Sequence, residues 1–206
     1  MTANAARTAV SEMSPAATVA GGARRQILDA AALLLRQGYD ATTTRAIAKQ
    51  VGIKAGSIYH HYASKDDIVS AVVNEGVRVV HDAVVEALEK LGPEATPRQR
   101  LQAAIKAHLL SLLEHGDFTS ASIRAFAFLP ASIQDGCRAE RRRYEEIWRG
   151  LIGEAAAAGL IEPTVSQDAV RLLILGAVNW SGEWYRPDGM GIDEIAQHFA
   201  ASILRA

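Results

Sequence analysis

Hydroxyls, cations and imidazoles crowd one short stretch of the chain, TTTRAIAKQVGIKAGSIYHHYASKDD at residues 42–67. Thr43, Thr44, Ser57 and Tyr59 offer O–H groups, Arg45, Lys54 and Lys65 offer positive charge, and His60 offers a ring nitrogen. Such groups at helix ends contact phosphate oxygens, while a few short side chains reach base edges. Ala55 and Gly56 have almost no side chain, so the backbone there can lie against a groove floor. The elements that must position these residues are two short helices joined by a tight turn, the unit that sets a helix in the DNA major groove. Thr43 is a good N-cap for a helix over 44–51 with Ile47, Ala48 and Val51 inward. Gly52 permits the positive φ of a sharp turn, and Ile53 plugs the angle. A reading helix over 55–61 then turns Ile58 and Tyr62 into a small core and leaves Tyr59, His60 and His61 on or beside the outer surface. A helix-turn-helix spacing is also compatible with a mere helical corner. The brackets argue against that: a first helix from about Gly22 carries Ile27, Ala31, Leu34 and Leu35 on one face and ends at Gly38, and Ser64 caps a fourth helix. Arg24 and Arg25, at the first helix's start, suit either a phosphate or plain solvation.

The net charge of −1 favours no partner, but its distribution does. Residues 1–65 hold eight basic side chains against three acidic, and residues 66–206 hold fourteen against twenty, so a +5 module sits on a −6 remainder. That asymmetry is expected where one small unit meets phosphates. Composition is ordinary for a globular protein, with 49% apolar and 22% charged residues. No apolar run approaches the roughly 18 residues of a transmembrane helix, so no membrane role is expected. The first 21 residues lack the pattern of a signal peptide and read as a disordered tail. A single cysteine, Cys137, excludes an internal disulfide and suits a reducing cytoplasm. No metal spacing or cofactor motif stands out, and the paired carboxylates, Cys-His dyad, GxSxG or phosphate loop of an enzyme are missing.

The run GYDATTTRAIAKQVGIKAGSIYHHYASKDDIVSAV resembles the DNA-binding domain of TetR-family transcriptional repressors along about fifty residues. The Gly-aromatic pair, the Ile-Ala of the second helix, the Gly of the turn, the Tyr with a following His, and the Ser-Lys pair are all in register. The resemblance implies that Thr43, Thr44, Tyr59, His60 and Lys65 contact operator phosphates or bases. Lys54 departs from the pattern, because it stands at the third helix's cap where Ser or Thr is usual; it makes either a weaker cap or an added phosphate contact.

The remaining chain reads as helices throughout, giving an all-α protein of about nine helices. Its expected divisions are the tail 1–21, a three-helix DNA-binding domain over 22–66, and a ligand-binding and dimerisation domain over 67–206. A long helix over 66–91 shows Ile68, Val72, Val79, Val80, Val84 and Leu88 as a stripe, and one over 98–114 turns Leu101, Ile105, Leu109 and Leu112 inward with His108 near them. Arg124 lies in the apolar stretch DFTSASIRAFAFLP, where it either pairs with a carboxylate or awaits an anion. The helix that follows is rich in arginine, including Arg141, and reads either as a solvated face of i,i+4 pairs or as a clamp for a phosphorylated ligand tail. QDAVRLLILGAVNWSGEWYRP is apolar almost all round and needs a second partner, which a homodimer supplies. With a last helix over 192–204 (Ile195, Phe199, Ile203) it would form half of an intersubunit four-helix bundle, as in the resembled family. The ending NWSGEWYRPDG is similar to a branch of that family whose inducers are acyl-CoA thioesters. The expected pocket is mostly apolar, lined by Phe118, Arg124, Phe128, Arg141, Trp180 and Trp184. The functional expectation is a homodimeric repressor on double-stranded operator DNA, released by a small effector. The competing one is a helical acyl-thioester-binding enzyme or carrier with no DNA role, which a mobility shift with upstream DNA would separate.

Overall fold

The computed structural model describes residues 15–114 and 117–205, and among these the secondary structure is helical. Residues 1–14 of the expected tail lie outside the described residues; from Pro15 the chain is already in α1 (Pro15–Leu35), seven residues ahead of the expected start at Gly22. Proline at a first helical position and the alanines after it suit that extension. The chain continues through α2 (Thr44–Val51), α3 (Ala55–Ile58), α4 (Lys65–Leu91), α5 (Pro97–Leu113), α6 (Asp117–Ala125), α7 (Ala131–Ala157), α8 (Gln167–Trp184) and α9 (Ile192–Ile203). A single 3₁₀ turn, Phe126–Phe128, separates α6 from α7. No described helix is long and apolar enough to cross a membrane.

The helix ends follow from their residues. Thr43 accepts from the Ala46 N–H, Ser64 accepts from the Asp67 N–H, and Thr96 with Gln99 forms a capping box ahead of Pro97. Gly52 closes α2 at φ 78°, the left-handed turn that glycine adopts without strain. Lys54, at the head of α3, makes no side-chain cap.

α4 is the central element and packs against α1, α5, α6 and α7. Its buried stripe is Ile68, Val69, Val72, Val73, Gly76, Val77, Val80 and Val84; Val79, expected inward, is only half-buried. Two apolar clusters share this helix. One joins Ile27, Ile47, Ile58 and Tyr62 of the first three helices to Phe118, Leu129, Ile133 and Cys137 from beyond α5. The other gathers Val84, Ile105, Trp148, Ile174 and Ile195 from α4, α5, α7, α8 and α9. At the α4–α6 crossing, Gly76 lies against the Phe118 backbone, and a Cβ there would also meet Ser122 Cβ at 2.7 Å.

Candidate nucleic-acid interface and interior cavity

The small core of Ile47, Ala48 and Ile58 fixes α2 against α3, with Val51 and Ile53 packed at its edge. This turns Thr43, Arg45, Lys54, Gly56, Tyr59 and His60 outward, Tyr59 being 58% exposed. Thr44, Ala55, Ser57 and Lys65 are half-buried beside them. Arg45, Lys54 and also Lys49 form no ion pair among the described residues, so their charge is available to a phosphate. Lys49 was missed from sequence; its place four residues after Arg45 on the same helix was the available signal.

Regular α-helical structure in α3 stops at Ile58, three residues short of the expected span. Tyr59, His60 and His61 continue it with N–H bonds to the carbonyls three residues back, Gly56, Ser57 and Ile58, at 3.3, 3.3 and 2.9 Å. The two arginines of α1 are committed inside the molecule. Arg24 donates to the His61 carbonyl at 2.9 Å and stacks 4.3 Å from the Tyr62 ring centroid, which pins the end of that turn. Arg25 pairs with Asp29 at 2.9 Å and Glu75 at 3.1 Å and lies over Phe118. Tyr39 fastens the start of α4: its hydroxyl donates to Asp66 at 2.5 Å, and the Lys65 ammonium rests 3.5 Å from its ring centroid. The bond to Asp66 pushes the Tyr39 phenol up to about 12.

The six residues expected to line a ligand pocket do not come together. Phe118 is buried in the cluster shared with α1 and α4, because the crossing at Gly76 draws α6 onto α4. Arg124, Phe128 and Trp180 border an open cleft of about 540 Å³ with residues 35–39, where Arg124 pairs with Glu183 at 2.7 Å. Phe128 is 84% exposed, and Trp180, 66% exposed, continues a bare stripe with Leu172 and Leu173 along α8. Trp184 packs on Phe199 of α9, ring centroids 6.2 Å apart.

Arg141, half-buried, stands apart from these at a partly open cavity of about 50 Å³ lined by Val77, Arg141, Tyr144, Glu145, Leu175 and Asn179. Its guanidinium lies 3.9 Å from the Phe126 ring centroid and forms no ion pair among the described residues. Glu145, the nearest acid, is engaged by Arg171 at 3.0 Å, and Arg171 also bonds Asp168. Next to the cavity, buried His108 and Tyr144 share a hydrogen bond of 2.7 Å between Nδ1 and the hydroxyl. Burial holds the His108 imidazolium down to about 4, opposed by hydrogen bonding to Asn179, and the same burial pushes the Tyr144 phenol up. A neutral ring taking a proton from Tyr144 at Nδ1 carries its own proton on Nε2, which finds no partner of good geometry. His108 is thus a core histidine, as its position on an apolar face implied, and no group of three metal-ligating side chains occurs among the described residues.

Residues 27–72 match the family described as bacterial regulatory proteins, tetR family, and residues 94–206 match the tetracyclin repressor-like C-terminal domain. The chain belongs to the TetR family. Among its TetR relatives is the HTH-type transcriptional repressor KstR2 of Mycobacterium tuberculosis, 28% identical over 192 residues that cover 88% of this chain and 90% of that one. The structure of AibR in complex with isovaleryl coenzyme A and operator DNA superposes with a TM-score of 0.76 at 26% identity, covering 88% of this chain and 97% of the other. That of superantigen PfiT superposes at 0.75 with 34% identity, covering 89% and 97%.

Proposed function

We propose that this TetR-family chain is a cytoplasmic, ligand-responsive repressor that binds a palindromic operator as a homodimer. The observation that carries the reading is the shared rim on which Thr43, Thr44, Arg45, Lys54, Tyr59, His60 and Lys65 stand, with Arg45 and Lys54 free of ion pairs among the described residues. Ala55, Gly56 and Ser57 supply the low-profile backbone between them, and nothing lies within 4 Å of where a Gly56 side chain would start. In the dimer, α8 and α9 of two copies pack together over Leu172, Leu173 and Trp180, which are otherwise bare. The two α3 helices then fall about one groove turn, roughly 34 Å, apart. An effector that fits best when the heads are spread draws the population away from that spacing and frees the operator. The effector class favoured is an acyl-CoA thioester, supported by the isovaleryl coenzyme A held by AibR and by the ending NWSGEWYRPDG.

A mobility shift with DNA from upstream of the gene tests the operator reading. Wild type retards the fragment, and affinity falls steeply with salt. Tyr59→Ala and Lys65→Ala each weaken binding about tenfold, and Lys65→Ala flattens the salt slope by about one. Undiminished affinity in both variants at moderate salt would sink the assignment. For the effector, calorimetry with a CoA-thioester panel is the measurement; silence across the panel, with another metabolite releasing the DNA, excludes the acyl-CoA class.

A further inference from the structure

The cavity beside Arg141 is out of balance in charge. Arg141 brings a guanidinium to its wall, capped on one side by Phe126, and the only acid on that wall, Glu145, already serves Arg171. Among the described residues Arg171 has two carboxylates in ion-pair contact, whereas Arg141 has none and feels Glu145 only at longer range. Drawing a guanidinium partly out of water without a carboxylate in contact is unfavourable, so one left this way marks a place where an anion can come. His108 beside it has no well-aligned partner at Nε2 and interacts with Asn179. Asn179, the polar neighbour of that ring, also lines the cavity. A guanidinium with no carboxylate in ion-pair contact calls for a negatively charged group, and its planar fork matches a carboxylate in both geometry and charge. The cavity's 50 Å³ holds a few waters, by the roughly 10–15 Å³ one water needs, or one carboxylate with a short run of carbon against Val77 and Leu175.

We propose that the cavity beside Arg141 is the binding site for a carboxylate borne by the effector, with Arg141 as its counter-charge. The proposal rests on the reading of the chain as an effector-controlled regulator. It narrows that reading to ligands with a free carboxylate, either an organic acid or the far acid of a dicarboxylic thioester.

The deciding experiment uses the full chain without DNA, so it stands apart from the repressor reading. Thermal midpoints are measured at pH 7 in formate or acetate against chloride at equal ionic strength, for wild type and Arg141→Met. The carboxylates raise the wild-type midpoint by about 3 °C over chloride and leave Arg141→Met unmoved, and in chloride the variant melts at or above wild type because it buries no unpaired charge. An equal response in both proteins, no response in wild type, or a variant that melts well below wild type in chloride overturns the proposal. Calorimetry with glutarate, glutaryl-CoA and butyryl-CoA then separates the sources. Binding of glutarate that Arg141→Met abolishes points to the free acid, and binding confined to glutaryl-CoA and abolished likewise points to the thioester. Butyryl-CoA binding alone, with equal affinity in both proteins, overturns the carboxylate site and leaves the repressor standing if DNA is still released.

Discussion

At the scale of single residues, His108 links burial to a pH response. Its imidazole titrates near 6.5 in an unfolded chain and near 4 in the fold. Between those values the unfolded chain binds a proton that the native one refuses, so stability rises with pH across this window and is fully present above 6.5. Acidification from 7 to 4.5 therefore costs the wild type up to about 3 kcal/mol through this group alone. The measurement is urea unfolding of wild type and His108→Gln at pH 4.5, 5.5, 6.5 and 7.5; the gap between them narrows as the pH falls, and a constant gap would exclude the burial argument. The site was legible to a similar depth. That His108 lies on an apolar face followed from its spacing with Leu101, Ile105 and Leu112, whereas its bond to Tyr144 links two helices 36 residues apart, and spacing within one helix carries no information about the other. Arg141 was singled out from a cluster, and the burial of Cys137, Tyr144 and Trp148 at helical spacing shows why it turns inward while Arg138, Arg142 and Arg143 do not.

At the scale of elements, the crossing of α4 and α6 depends on one missing side chain. Alanine normally stabilises a helix interior by about 1 kcal/mol over glycine. At Gly76 the sign reverses, because the new methyl would be driven into the Phe118 carbonyl oxygen and Ser122. Gly76→Ala is expected to lower stability by about 1–3 kcal/mol, read as a fall in the thermal midpoint. A midpoint at or above wild type would mean the helices separate freely. Nothing near Gly76 announced this contact, since its partner lies on a helix forty residues on; a glycine kept within a valine-rich stripe was the only trace. Helix existence was legible because caps and breakers are local: Thr43, Gly52, Ser64 and Thr96 act on their own neighbours. The tightened end of α3 was not, because Arg24, which ties down the His61 carbonyl, comes from α1.

At the scale of the whole molecule, Leu172, Leu173 and Trp180 leave α8 with a bare apolar stripe, the two leucines each 62% exposed. The proposed homodimer covers it. Leu173→Glu, placed away from every described cavity, should shift sedimentation from dimer to monomer and reduce operator affinity by at least tenfold through loss of the paired heads. A dimer that survives the substitution would put the interface elsewhere. The stripe was legible as a helix apolar on too many sides, although Trp180 was also read as pocket lining, which one sequence cannot separate from a subunit contact. The cluster beneath the exposed rim of α2 and α3 has a different consequence. Ile27, Ile47, Ile58 and Tyr62 pack in common with Phe118, Ala125, Leu129, Ile133 and Cys137, so the small core of α1–α3 runs on without a break into α6 and α7. A chimera that grafts only residues 22–66 onto another sensor would carry half an interior with it; a working transplant must bring α6 and the first turns of α7 along.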